Sequence, residues 1–177
     1  MDNFKIATFA GGCFWCIVEK FKSYEGVLDT RVGYTGGDIS NPTYKEVKSQ
    51  ESGHYEAIQI AYNPEKIDYE KLLWIFWTQI DPTDDGGQFI DRGSSYKTAI
   101  FYSNEEEKSL AEKTKNHIEE SGEFSKPIVT KVLPLGEFYD AEDYHQDFFI
   151  KNPIEYAKER KESGRDEYIK EHWKNFI

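Results

Sequence analysis

Cysteine is almost missing from this chain. There are two in 177 residues, Cys13 and Cys16, both inside the stretch Gly11-Gly-Cys-Phe-Trp-Cys16. So few argue against a disulfide-stapled secreted framework and confine any thiol chemistry to one place. Long apolar runs are missing too. Nothing approaches the roughly 20 residues needed to cross a bilayer, and the opening Met-Asp-Asn-Phe-Lys lacks the basic flank and apolar core of a secretory signal. These absences predict a protein of the reducing cytoplasm with no membrane partner. Basic charge is in deficit, 22 Lys and Arg against 33 Asp and Glu, which argues against a sequence-independent hold on nucleic acid. His54, His117, His145 and His172 never pair at helical spacing, and Cys-x-x-Cys has no second ligand pair, so no metal is predicted. Neither a Gly-x-Gly-x-x-Gly nor a Gly-x-Ser-x-Gly motif occurs.

What is abundant is aromatic: 12 Tyr, 12 Phe and 4 Trp, more than an ordinary core requires, so some of them are expected to line a cavity. No repeat or linker divides the chain, and residues 1–177 read as one domain. Strands are predicted at 4–10, 26–34, 54–62, 96–102 and 128–133. Helices are predicted at 13–22, 68–78 and 104–121, followed by a helical tail at 140–150 and, after Pro153, 154–164. Asn104 and Asp68 are suited to cap their helices. Strands interleaved with helices point to a mixed sheet with helices packed on it.

Three places stand out chemically. Apolar Phe14, Ile17, Val18 and Phe21 recur at i, i+3, i+4 and i+7, the stripe of an amphipathic helix. Cys13 then falls in the first turn, where free N–H groups and the dipole favour a thiolate; the alternative is two buried structural cysteines. In the strand His54-Tyr-Glu-Ala-Ile-Gln-Ile-Ala-Tyr62, alternation puts Glu56 on the face of Ile58 and Ile60. Burial there would raise its pKa and let it hold a proton near neutrality, unless it reaches solvent or pairs with a cation at the strand end. Residues 81–95 form a long stretch of turn formers, a functional or disordered loop. Tyr96 after it opens a strand and could aim a hydroxyl into a site. His117 and His172 read as solvated, and His145 as a structural hydrogen-bonder rather than a base.

Taken in order, Gly-Cys-Phe-Trp-Cys, Gly33-Tyr-Thr-Gly-Gly37, Asn41-Pro-Thr-Tyr44, Gly53-His-Tyr-Glu-Ala57, Asp91-Arg-Gly-Ser-Ser-Tyr96 and Ala141-Glu-Asp-Tyr-His-Gln146 resemble the A-type peptide methionine sulfoxide reductases. The resemblance implies an α+β, ferredoxin-like sandwich with a mixed sheet and a wrapped C-terminal tail, and an enzyme that needs no cofactor. It implies Cys13 as nucleophile and Glu56 as proton donor. Tyr44 and Tyr96 would bind the sulfoxide oxygen, Phe14 and Trp15 would form the methyl pocket, and Asp91 would orient the substrate. The S-epimer preference comes from the family. Its substrates would be oxidised methionine in proteins and the free sulfoxide, and its reductant thioredoxin or another thiol.

Such chemistry needs these groups. The sulfoxide oxygen must be protonated while a soft thiolate attacks sulfur, leaving a sulfenic acid on Cys13. Many relatives resolve that acid with cysteines in the C-terminal tail, and this chain has none after Cys16. Either Cys16 attacks it, giving a Cys-x-x-Cys disulfide, or an external thiol does. Two other readings compete: a general thiol–disulfide oxidoreductase built on Cys13 and Cys16, which leaves Glu56 without a role, and a binding protein with an aromatic cavity.

Overall fold

The computed structural model describes residues 3–176. Met1 and Asp2, part of the segment read above for a signal, and Ile177 lie outside the described residues. Strand β1 (Lys5–Gly11), helix α1 (Phe14–Lys22), strand β2 (Val27–Thr35), short helix α2 (Tyr44–Lys48) and strand β3 (Tyr55–Tyr62) come first. Helix α3 (Tyr69–Trp77), a small hairpin of β4 (Gly87–Gln88) and β5 (Asp91–Arg92), strand β6 (Thr98–Tyr102) and helix α4 (Glu105–Ser121) follow. Strands β7 (Lys131–Pro134) and β8 (Phe138–Asp140) precede three tail helices, α5 (Phe148–Lys151), α6 (Pro153–Ser163) and α7 (Arg165–His172).

The main sheet has the order β7-β6-β1-β3-β2-β8. Its middle four strands, β6-β1-β3-β2, pair antiparallel and with α1 and α3 make the expected ferredoxin-like βαββαβ core. β7 adds in parallel to β6, and β8 adds antiparallel to β2, so the sheet is mixed. The α1 stripe is buried as its periodicity predicts: Phe14, Ile17, Val18 and Phe21, with Cys16 beside them. Phe9 of β1 lies between Phe21 of α1 and Phe76 of α3, with ring centroids 5.7 and 5.0 Å away. Burying each such ring contributes about 1.5–3 kcal/mol. The caps match too: Asp68 accepts from the Lys71 amide and Asn104 from the Glu107 amide.

Two glycines of the Gly33-Tyr-Thr-Gly-Gly37 run are there for space. A Cβ on Gly33 would lie 2.3 Å from the Tyr139 carbonyl oxygen of β8, and one on Gly37 would lie 2.6 Å from the backbone of Ser52 and His54.

The structure differs from the sequence reading in three segments, one of them held by distant partners. The loop after β2 contains α2, started by a Thr43–Glu46 capping box. Residues 81–95 are ordered rather than structureless. The Gln88 side chain bridges the Asp81 backbone N–H and C=O, and Arg92 forms a two-pronged pair with Asp84. Tyr96 closes a 3₁₀ turn (Ser94–Tyr96) instead of opening β6. The predicted helix at 140–150 is instead the end of β8, a 3₁₀ turn (Asp143–His145) and the short α5. Glu142 and Gln146 explain this: Glu142 accepts from the Tyr34 hydroxyl and the Tyr44 amide, while Gln146 bonds both backbone groups of Val32. These bonds draw the segment along β2, where a continuous helix would not fit.

Candidate active site

β1 delivers Gly11 to the end of the sheet, and Gly12 turns the chain at φ +88°, a conformation L-residues rarely adopt. A Cβ there would also lie 2.6 Å from the Gln88 side chain. Cys13 becomes the N-cap of α1 rather than a member of its first turn. Both thiols are free, Cys13 half-buried and Cys16 buried.

The first amide of α1 does not serve a thiol. Phe14 N donates to Glu56 Oε1 at 3.2 Å. Glu56 is 1% exposed, on the core side of β3 with Ile58 and Ile60 as alternation predicted. Burial pushes its carboxyl up to about 8, outweighing the Phe14 bond that favours the anion, and the nearby Asp91 adds to the rise. It is therefore largely protonated at neutral pH.

Tyr44 begins α2 and Tyr96 ends its turn, and their hydroxyls interact within the fields of Glu56 and Cys13. Burial, then Glu56, holds both phenols protonated and able to donate. Asp91, on β5, is raised by burial and drawn back by Arg165. Thus Cys13, Glu56, Tyr44, Tyr96 and Asp91, scattered over 83 positions in the chain, share one neighbourhood. Glu56, Phe14 and Tyr96 are buried there, while Cys13, Trp15, Tyr44 and Asp91 are half-buried.

The thiols divide the charge differently from the sequence expectation. Cys13 is held well above the usual thiol range by its hydrogen bond to Cys16, by burial, and by the Glu56 and Asp91 carboxyls. Cys16 is lowered, first by the Cys13 thiol that donates to it and then by Arg165 and Arg160. Of the two thiols, Cys16 therefore takes up negative charge more readily than Cys13. The helix start does not reverse this, because its leading N–H is given to Glu56.

Trp15 lies off the stripe of α1 yet is not turned into solvent. It stacks on Phe148 of α5 with centroids 3.8 Å apart and planes at 7°, and its indole N–H donates to His145 Nδ1 at 3.1 Å. That bond places the His145 proton on Nε2. Burial depresses the ring to about 4, so it stays neutral, as a structural hydrogen-bonder should. His54 is buried as well, taking the Gly37 amide at Nδ1 and reaching the Ile39 carbonyl through Nε2. His117 is exposed, as read, whereas His172 is half-buried and stacks on Phe124.

Sequence reasoning missed three residues at this site. Glu142 lay in a segment recognised only as a block. Arg160 and Arg165 lie in and just past the helix predicted at 154–164 and were not singled out, and only the wrapping of the tail reveals them. Among the described residues, no group of three or more His, Cys, Asp or Glu is placed to hold a metal, and no helix is long and apolar enough to cross a membrane. A cleft of about 800 Å³ between α3 and α4, lined by Trp74 and His117, contains none of the groups above.

Comparison with known proteins places the whole chain among relatives of one family. The family model described as peptide methionine sulfoxide reductase matches residues 5–177. A relative from Bacillus subtilis (strain 168), named peptide methionine sulfoxide reductase MsrA, is 56% identical over 169 residues, 96% of each chain. Among solved structures, reduced Mxr1 from Saccharomyces cerevisiae superposes with a TM-score of 0.80 at 31% identity, covering 86% of this chain and 87% of that one. Mxr1 in complex with Trx2 shares the fold, with a TM-score of 0.58 at 23% identity, over 81% and 84%.

Proposed function

The chain belongs to the peptide methionine sulfoxide reductase family, and from that premise we propose that its Cys13–Glu56 site reduces methionine S-sulfoxide, in proteins and free, to methionine. The observation that carries the reading is Glu56: a wholly buried carboxyl raised to about 8 and tied to the amide next to Cys13. A protonated carboxyl in that place suits the reaction, because the sulfoxide oxygen needs a proton as its sulfur is attacked.

In this reading the S-methyl group enters beside Phe14 and Trp15, and Asp91 orients the rest of the substrate. Tyr44 and Tyr96 donate hydrogen bonds to the sulfoxide oxygen. Cys13 passes its proton to Cys16, its hydrogen-bond partner, and the thiolate attacks sulfur as Glu56 gives the oxygen a proton. Methionine leaves, two electrons richer, and Cys13 becomes a sulfenic acid. Cys16 then forms a disulfide with Cys13, and a dithiol reductant restores both thiols. Thioredoxin suits that last role, since the yeast relative Mxr1 has a structure in complex with Trx2. A reducing cytoplasm is the compartment such a cycle requires. A general thiol–disulfide oxidoreductase would leave Glu56, Tyr44 and Tyr96 unused.

A single-turnover experiment without reductant tests the proposal. One equivalent of methionine S-sulfoxide should give one methionine with loss of two thiols. No methionine, or turnover in Cys13→Ser, would overturn it.

A further inference from the structure

Arg165 is the least expected residue in this fold. It comes from the start of α7 yet is 1% exposed, and its guanidinium reaches the end of β1, donating to the Gly11 carbonyl at 3.3 Å and the Gln79 carbonyl at 2.7 Å. No carboxylate is hydrogen-bonded to it in the described structure, and its buried Nε has no partner. A second arginine follows the same route. Arg160 of α6 donates from Nη1 to the Cys16 carbonyl at 2.5 Å while its other nitrogens hold Asp166.

A buried cation without a bonded anion is costly, and it persists only where some negative charge answers it. Around Arg165 the candidates are few: Cys16, Cys13 and Asp91. The groups facing Cys16 are equally few. Cys13, Glu56 and Asp91 oppose another negative charge there, Tyr156 of α6 is a neutral phenol, and Arg165 and Arg160 are the cations. The apolar cover is Phe148 and Trp15.

We propose that Arg165, seconded by Arg160, is a positioning residue that keeps the negative charge of the cysteine pair on Cys16, arming it to resolve the sulfenic acid of Cys13. The inference rests on the reaction assigned above and concerns its second half. Cys16 releases the proton it took from Cys13 and attacks the Cys13 sulfur as a thiolate; the S–S bond forms as the S–O bond breaks, and the leaving hydroxide takes up that proton as water. Cys16 is oxidised to the disulfide level and Cys13 is reduced to it, so no outside electrons enter until a dithiol reductant opens the bond. In place of the missing C-terminal cysteine, the tail contributes two cations to a cysteine one helical turn from the nucleophile.

The test is a pH titration of thiolate absorbance at 240 nm in Cys13→Ser, where Cys16 is the remaining thiol, with and without Arg165→Met. It requires no sulfoxide turnover, so its outcome is independent of the substrate assignment. The thiolate midpoint should rise by about 1 pH unit or more without Arg165, should return toward the parent value in Arg165→Lys, and should rise by less in Arg160→Met. An unchanged midpoint in a folded Arg165→Met protein overturns the proposal. If that variant fails to fold by circular dichroism, an Arg160→Met midpoint equal to the parent's overturns it equally.

Discussion

The backbone N–H of Phe14 donates to the Glu56 carboxyl across 42 positions of sequence, at 3.2 Å. One short contact thus joins the start of α1 to the middle of the sheet, and ties Glu56 to the residue after Cys13. It also determines which group receives the favourable end of the helix. Had the thiol taken that amide, Glu56 would be a buried carboxyl with no anchor.

Replacing the acid should separate binding from chemistry. Glu56→Gln keeps the shape and a hydrogen-bond donor but has no proton to give, so single-turnover methionine formation should fall by about 10²–10⁴. In the parent protein the rate should decline as pH rises through about 8, where Glu56 ionises, and the residual rate of the variant should lack that limb. Stopped-flow or quenched single turnovers from pH 6 to 9.5 measure both.

The same carboxyl links stability to pH. Its folded value of about 8 lies above the ordinary 4.5, so its contribution is complete below pH 4.5 and is lost as pH rises through 8. At the linkage limit this is on the order of 3–5 kcal/mol. Urea unfolding at pH 5 and pH 9 should show the parent losing stability that Glu56→Gln keeps; parallel losses in both would remove Glu56 as the source.

Cys16→Ser and Cys13→Ser should fail differently. Without Cys13 no methionine forms. Without Cys16 the first methionine still appears, but the enzyme stops at the sulfenic acid, trapped by dimedone and visible by mass spectrometry. If Cys16→Ser loses two thiol equivalents in one turnover, an intermolecular route is operating instead.

Trp15→Ala should cost more than a pocket wall. Its ring carries Phe148 and its N–H carries His145, so the substitution should reduce kcat/KM by about 1–3 kcal/mol equivalent and also loosen α5. Trp15→Phe, which keeps the stack and loses the N–H, should recover most of the packing. Hydrogen exchange at residues 148–152 and kcat/KM read the two effects separately.

Gly33→Ala should destabilise the protein by about 1–3 kcal/mol, because the added methyl would meet the Tyr139 carbonyl. Thermal unfolding checks this, and Gly136→Ala serves as a control, at a glycine with open space around it and no left-handed backbone.

Much of this was legible from local pattern. The α1 stripe, the Asn104 and Asp68 caps and the alternation that buries Glu56 depend on neighbours within a few positions, and periodicity reports them. Tyr44 and Asp91 were not legible in that way. Tyr44 begins a short helix held by Glu142, 98 positions away, and Asp91 sits in a two-residue strand paired with Gln88, too short to leave a periodic pattern. The cysteines show a subtler failure. Position at a helix start suggested a lowered Cys13, but the Cys16 thiol, burial and the Glu56 and Asp91 carboxyls hold it up, while the Cys13 thiol and then Arg165 and Arg160, 144 and more residues away, lower Cys16. Arg165 was not singled out because helical sequence alone does not say where a tail will lie.

The order in which the chain is made gives the wrapped tail another meaning. Cys13 and Cys16 are among the first residues to leave a ribosome, whereas Arg160, the first tail cation to reach Cys16, is 144 residues behind. At about 5–20 residues per second, both thiols spend roughly 7–30 s of synthesis without their cover. Trp173, whose indole N–H closes on the Ile80 carbonyl at 2.9 Å, comes later still. A nascent chain stalled before its last two helices would carry a nucleophile and an acid but no shield, open to any oxidant or stray thiol it met.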